Sequence, residues 1–452
     1  MTAQSPTLPN LPAPLPRIAI LGAGPAGLML ARLLHLHGVP ATLIERDAHA
    51  QDRPQGGTLD LHEDGGLRAI AAAGLGEAFA RIARPEDQGD RLYDCRGELL
   101  FDAPGDAQDG RPEVDRGALR QLLLDALPAG AVQWGRAVRE VMPVGGDGAG
   151  WQLLLSDGRT RLGPFDLVIG ADGAWSRVRP LLSPYQPQYS GLTLLEFGID
   201  DVDQRHPGVA ALVGRGKMVV HGPGRALIAQ RNGHGHVRVY AMFRVPQDWA
   251  VRRFDLADPH RTRAQLHAEF AGFAPAIRAL IDAGDGPVVP RPLHALPVGH
   301  CWAPVRGLSL IGDAAHLMSP FGGEGVNAAL RDAAELGCAL GQALQQGRCW
   351  HEALAAAEAQ MFERVIDAAA GSADAAAEQL SHDAEALMLE HMIEHQAARD
   401  RQRRQAERAR ASLSTASAGA ALSSATSASP TLSAEPATSS THRPPHSATV
   451  PA

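Results

Sequence analysis

Aromatic residues make up only 4% of this 452-residue chain, so its cores must be built mainly from Leu, Val, Ile and Ala. Cysteine is also scarce. Cys95, Cys301, Cys338 and Cys349 are scattered and form no CxxC pair. That pattern lacks the density of a disulfide framework and the clustering of a zinc site, so the four read as reduced thiols and no metal is expected. No run of about 18 apolar residues occurs, which excludes a spanning helix. The proline-rich residues 1–16 carry no apolar h-region and make a poor secretion signal, leaving the cytoplasm as the expected compartment. Positive charge is not in excess either. The formal net charge of −8 supports solubility and gives no reason to expect nucleic acid or a membrane as partner. No Ser-His-Asp triad or paired-carboxylate site stands out, so no catalytic side chain is assigned.

What is present is a β-turn-α-β unit. Arg17 to Leu21 is a short apolar strand, about Pro25 to His37 an apolar helix, and Ala41 to Glu45 a second strand. Helix-like stretches fill residues 56–130, including Arg116 to Leu127. Strands follow around Val138, at Trp151 to Leu155 and at Phe165 to Ile169, with a hairpin turn at Gly145 to Gly148. From about 186 to 300 the texture is β-like, with a helical piece near Arg263 to Ile281. An apolar strand at Leu308 to Ile311 then leads through a glycine-rich loop into an Ala/Leu helix over 325–345. Residues 351–410 carry helix formers without proline and predict a long helix, with Gly371 as the candidate interruption. The Arg-rich stretch Arg399 to Arg410 reads as its solvated end, cations suiting the C-terminal dipole. The Ala/Ser/Thr/Pro-rich residues 411–452 bury too little apolar surface to offset ordering entropy, so disorder is expected.

Gly22-Ala23-Gly24-Pro25-Ala26-Gly27 is a GxGxxG directly after a strand and directly before a helix. Gly22 permits the tight turn, Gly24 lets the backbone approach a pyrophosphate, and Gly27 lets helix and strand pack closely. The helix N-terminus offers free N–H groups to the phosphates. Glu45 ends the second strand, where a carboxylate accepts from ribose hydroxyls and repels a 2′-phosphate. The turn alone leaves FAD and NAD open.

Two later segments choose between them. Asp166-Leu-Val-Ile-Gly170-Ala-Asp172-Gly-Ala-Trp-Ser-Arg-Val-Arg179 and Gly312-Asp313-Ala-Ala-His316-Leu-Met-Ser-Pro320, continuing to Asn327, are each an apolar strand ending in a Gly/Asp turn. Carboxylates such as Asp172 and Asp313 can hold sugar or ribityl hydroxyls. Gly322, Gly323, Gly325, Val326 and Asn327 open the 325–345 helix, whose amides can face the pyrimidine edge of a flavin. His316 beside them reads as a packed structural histidine.

In order, the three segments resemble the fingerprints of the class A flavoprotein monooxygenases, the aromatic-hydroxylase-like family. Arg53 to His62, Arg116-Gly-Ala-Leu-Arg120, Gly312 to Asn327 and Gln360-Met-Phe362 are most similar to its tetracycline-inactivating branch, and the likeness spans about residues 17–395. It implies an α/β chain with a Rossmann-like FAD-binding domain, three-layer β/β/α, formed by 17–185 and 290–350. A β-sheet substrate domain, 186–289, is inserted into it, and the long helix 351–410 and tails 1–16 and 411–452 complete the chain.

By the same resemblance, Glu45 and Arg46 hold the adenosine half of FAD. Asp60, Arg116 and Asp313 contact the flavin or its ribityl-phosphate chain, and Arg53 meets incoming NADPH (or NADH). The likeness weakens where substrate sits. Glu196, Lys217, Gln230 and Arg238 fall where the tetracycline branch has a glutamine, an arginine, an asparagine and a histidine. Lysine keeps the charge but lacks the guanidinium fork. The implied reaction is NAD(P)H- and dioxygen-consuming hydroxylation of an electron-rich phenol or enol, a small-molecule substrate, through a flavin C4a-hydroperoxide in a monomeric protein. A flavin reductase or dehydrogenase without oxygen transfer, and a non-catalytic flavin- or ligand-binding protein, are the alternatives.

Overall fold

The computed structural model of the chain describes residues 14–53, 56–107, 110–145 and 150–425. Two compact units divide at Ala397/Ala398, and the second comprises, among the described residues, the helical stretch 398–425.

The first unit is organised around a five-stranded parallel sheet in the order Leu308–Leu310, Leu167–Gly170, Ile18–Leu21, Ala41–Ile44, Val132–Gln133. Every residue of the strand Ile18–Leu21 is buried, because both faces of the sheet are covered. Ile18 and Ile20 pack with Leu30 and Leu34 of the helix Pro25–Leu36 and with Leu330 of the helix Gly325–Gln345. Ala19 and Leu21 face the other way, onto Val141, Leu153 and Phe165 of a three-stranded antiparallel sheet. Period-2 alternation of side chains therefore builds the β/β/α sandwich, and strands apolar on both faces are its consequence. Val138–Pro143 and Trp151–Leu155 pair antiparallel as a hairpin; most of its expected turn, Gly145 to Gly148, lies outside the described residues.

The second sheet has seven strands, in the order Asp285–Ala295, Gln188–Ile199, Val237–Arg244, Arg225–Arg231, Gly216–Gly222, Gly89–Tyr93, Leu99–Ala103. Its last two strands come from the 56–130 stretch that reads as helical and as part of the first domain. Gly89–Tyr93 pairs in parallel with Gly216–Gly222, a partner far along the chain that local periodicity does not reveal. Asp285–Ala295 likewise crosses the expected 289/290 boundary. The short pair Thr58–Asp60 and Glu113–Asp115 adds two further strands to that stretch.

The expected single C-terminal helix is two, Trp350–Glu378 and Ala384–Ala425, and Gly371 does not break it. The break lies at Leu380, which has a φ of 61°. Its cause is tertiary: Arg244 Nη2 reaches the carbonyls of Ala376, Ala377 and Gln379 at 3.1, 3.2 and 2.6 Å, capping a helix end with a cation. The second helix runs past residue 410, where an Ala-rich sequence propagates a helix already begun. Residues 1–13 and 426–452, which hold most of the expected tails, lie outside the described residues. Among the described residues no helix is long and apolar enough to cross a membrane, and the four cysteines are unpaired.

His221, on Gly216–Gly222, is 3% exposed, and neither ring nitrogen has a partner among the described residues. Burial lowers its pKa to about 4. The unfolded chain then binds more protons between an ordinary value near 6.5 and about 4, so stability is lost as pH falls through that window. His221→Leu is expected to remove an acid-side loss on the order of 3 kcal/mol. Urea unfolding of both proteins from pH 4 to 7.5 checks it; a stability difference that does not vary with pH contradicts it.

Candidate functional site

Three turns leave the C-terminal ends of three adjacent parallel strands, where ligands of open α/β sheets bind. They touch one another. Gly22 has a φ of +100°, and a Cβ on it would lie 2.4 Å from the Ala171 carbonyl oxygen; one on Gly27 would lie 1.9 Å from the Gly22 oxygen and 3.3 Å from Ala171 Cβ. At Gly312, φ +60°, a Cβ would meet Ala26 and Ala329. The first turn thus abuts the second, and the third abuts the start of the first turn's helix.

Buried polar groups lock these turns. Glu45 accepts from Ala23 N at 2.6 Å and Asp47 N at 2.9 Å. Arg120, 3% exposed, donates to Ala23 O at 3.0 Å and Ala50 O at 2.6 Å. Arg179, with no exposed surface, donates to Ala174 O of the second turn at 2.6 Å and to Ala314 O of the third at 3.0 Å. Asp332 accepts from Gly312 N at 3.0 Å, from His316 Nε2 at 2.5 Å and from Arg364 Nη2 at 2.5 Å. Burial opposes the imidazolium, but the Asp332 charge prevails and holds His316 above its ordinary range. His316 is packed and structural, as expected. Arg120, Arg179 and Asp332 hold the turns through backbone groups, a role that no local sequence pattern gives them.

The turns are shaped for a ligand. A Cβ on Gly24 would meet nothing within 4 Å, and neither would one on Gly325, at the start of a 21-residue helix. Asp172 accepts from Arg177 N at 2.7 Å, yet its buried Oδ1 has no partner among the described residues. Burial raises its pKa against the hydrogen bonds from Ser176 and Arg177. Asp313 is exposed at the mouth of the third turn. Open space over two glycine turns, an orphaned acceptor and an exposed carboxylate fit the phosphates and hydroxyls of a dinucleotide. Arg46 is exposed and 4.0 Å from Asp47, while Arg53 donates to both Asp47 oxygens at 3.1 Å.

The glycine loop after the third turn meets Asp60. A Cβ on Gly323 would lie 3.3 Å from Asp60 Oδ1. Asn327, 2% exposed, ties the two segments: Oδ1 accepts from His62 N and Gly66 N at 2.8 and 3.0 Å, and Nδ2 donates to Asp60 O and Gly323 O at 3.0 and 3.2 Å. Its amide is fully used inside the protein. Gly322 packs beside Ser372, where a Cβ would come within 2.6 Å of the hydroxyl, and Val326 sits partly buried on the helix. His62 lies between Asp60 at 2.9 Å and Glu324 at 3.5 Å. Burial lowers its pKa, but both carboxylates overcome this and lift it to about 9. Burial likewise raises Asp60, and His62, Lys217 and Arg111 together bring it below its usual value. Arg116 donates its backbone N–H to Gly57 O at 3.1 Å and leaves its side chain exposed.

Lys217, Gln230 and Arg238 stand in one cross-strand row, in register, across three strands of the large sheet. The Gly56–Asp60 segment crosses this face: a Cβ on Gly57 would lie 2.8 Å from Tyr240 Oη and 3.8 Å from Arg238 Cγ. Glu196 does not present a free negative charge, since Arg238 and Arg291 donate to it at 3.0 and 2.9 Å. Lys217, the only lysine of the chain, is 3.3 Å from Asp90. The structure therefore gathers these four residues on the sheet face that the Gly56–Asp60 segment crosses.

The family described as "FAD binding domain" matches residues 17–369. Monooxygenase asqM of Emericella nidulans is 33% identical over 371 residues, covering 71% of this chain and 82% of that protein. The solved structure of Klebsiella pneumoniae HpxO complexed with FAD and uric acid has a TM-score of 0.67 at 25% identity, over 85% of this chain and 93% of that one. Tetracycline destructase Tet(51) has a TM-score of 0.62 at 22% identity, over 85% and 96%. The tetracycline branch thus stands among similar folds without being singled out.

Removing the Arg179 clamp tests the convergence. Arg179→Met leaves one buried and one half-buried carbonyl unpaired and is expected to cost about 2–4 kcal/mol of stability and to weaken FAD retention at least about tenfold. Denaturant unfolding and fluorescence titration with FAD check both; unchanged FAD affinity contradicts the clamp's role.

Proposed function

The chain belongs to the FAD binding domain family and is an FAD-dependent monooxygenase of the aromatic-hydroxylase type, and from that premise we propose that it uses NADPH or NADH to hydroxylate a phenol or enol of small size. The observation that carries the reading is the convergence of the three strand-end turns, with the loop after the third meeting Asp60, whose own segment crosses the sheet face of the Lys217–Gln230–Arg238 row. When bound, FAD supplies the redox chemistry, accepting a hydride and activating dioxygen. The protein's own work is to hold, orient and exclude water.

Gly24 would let the backbone approach the pyrophosphate, in a turn that Gly22 and Gly27 keep tight, and Glu45, with lone pairs left beyond its two backbone bonds, would take the ribose. Arg46 would contact the adenosine half. Asp172 Oδ1 and Asp313 would accept from the hydroxyls of the flavin's sugar chain, with Asp60 and Arg116 as further contacts. The amides of Gly322, Gly325 and Val326 would serve the ring edge, in a loop that Asn327 holds in place and in which the Gly323 amide is spent on Pro320 O at 3.2 Å. Arg53 lines a cavity of about 360 Å³ with Arg120 and Gln121, and its cation suits the phosphates of the nicotinamide cofactor.

For the substrate, Lys217 and Gln230 offer one compact cation and one amide. Arg238 and Arg291 each give a guanidinium nitrogen to Glu196, whose carboxylate offsets their charge toward an anionic substrate edge. That favours a compact hydroxyl-bearing ring over the extended polar edge of a tetracycline.

Incubation of the FAD-loaded protein with NADPH or NADH and isotopically labelled dioxygen, across simple hydroxybenzoates, polyketide phenols and tetracyclines, tests the proposal by mass spectrometry. One labelled oxygen atom is expected in a phenolic or enolic product. NAD(P)H oxidation that yields only hydrogen peroxide with every substrate contradicts it.

A further inference from the structure

The sequence shows no paired carboxylates, but the fold makes a pair. Asp60 and Glu113 are directly opposed partners in the antiparallel pair Thr58–Asp60/Glu113–Asp115, so their side chains share a face. Glu113 is 8% exposed. Its Oε2 accepts from Thr58 Oγ1 at 2.5 Å, and its Oε1 faces Gln230 Nε2 at 3.4 Å, within the substrate row. Deepening the hydroxylase reading above, and resting on it, we infer that Glu113 is the base that takes the hydroxyl proton of a phenol or enol laid beside Gln230.

The charges around the pair divide its roles. Asp60 is fixed as a carboxylate by its hydrogen bond to the His62 imidazolium. Facing that fixed charge, Glu113 holds its proton strongly: burial, then the Asp60 charge, raise it to about 7, against the Thr58 hydrogen bond and the cations Lys217 and Arg84. Two carboxylates driven apart in this way mark distinct acid–base roles, and a base poised near neutrality exchanges protons most effectively. In the step, the substrate O–H bond breaks and a Glu113 Oε1–H bond forms. Negative charge moves from the carboxylate to the substrate oxygen, beside the Lys217 ammonium that Asp90 keeps charged. The electron-richer ring that results is the better nucleophile toward activated oxygen. The proton returns to product or solvent on release.

The pH profile of kcat/KM for oxygenation reads this directly. Wild type is expected to lose activity below an acid limb near pH about 7. Asp60→Asn should move that limb down and Lys217→Gln should move it up, each by on the order of one pH unit. Glu113→Gln should abolish the limb and lower kcat/KM at alkaline pH by about a hundredfold to ten-thousandfold. It avoids a buried charge and folds at least as well as wild type above neutral pH, and the two neighbour variants decide the matter independently.

A second readout needs no turnover. Protein labelled only in lysine gives one side-chain ammonium resonance, from Lys217, whose shift should titrate near pH about 7 in wild type and not in Glu113→Gln. A limb retained in Glu113→Gln, or unmoved by both neighbour variants, overturns the role. A wild-type protein that titrates at Lys217 but oxygenates nothing sinks the hydroxylase reading and this step with it. A protein that oxygenates with no limb sinks the step alone.

Discussion

Arg179 has no contact with solvent, and its guanidinium joins the carbonyls of Ala174 and Ala314, which belong to turns 140 positions apart in the chain (314 − 174). Burial weakens its charged form and only Asp172 offsets this, so the clamp persists because the carbonyls it satisfies would otherwise be orphaned in the interior. Everything functional here follows from turns held so. The parallel strands deliver three chain reversals to one edge, and Glu45, Arg120, Arg179 and Asp332 then bind those reversals together through backbone groups. The Asp172 Oδ1 left without a partner beside them is an acceptor that a ligand hydroxyl fits.

The second constraint is charge placement between the glycine loop and the seven-stranded sheet. Thr58–Asp60 and Glu113–Asp115 form a two-stranded strap that belongs to neither large sheet. One side of it meets the glycine loop through Asn327; the other meets the seven-stranded sheet and the loop beyond it through Gly57, Glu113 and Asp115, whose carboxylate accepts from Asn232 at 3.0 Å. A change of charge at Asp60 is therefore felt by His62 on one side and by Glu113 and Lys217 on the other, through ordinary short-range electrostatics.

Much of this was legible in the residues themselves. Strands apolar on both faces, glycines at the turn and an acidic residue closing the second strand are local patterns, and Ile18–Leu21, Pro25–Leu36, Ala41–Ile44 and Gly325–Gln345 lie where those patterns place them. What was not legible depends on distant partners. Gly89–Tyr93 is polar and short, and becomes a strand by joining Gly216–Gly222. The C-terminal helix breaks at Leu380 because Arg244, from another sheet, caps it there. Glu196 and Lys217 look like free charges along the chain, yet each is met by an opposite charge brought by a neighbouring strand. The carboxylate pair, too, exists only in the register of two three-residue strands.

A single nucleotide spanning all three turns is what their convergence requires. A crystal structure of the FAD complex tests it most directly. One FAD touching Gly24, Asp172 and Asp313 together, with the Arg179 bridge to Ala174 and Ala314 intact, is the expected result. A flavin bound against one turn alone, or a cleft whose turns separate when it binds, would contradict it.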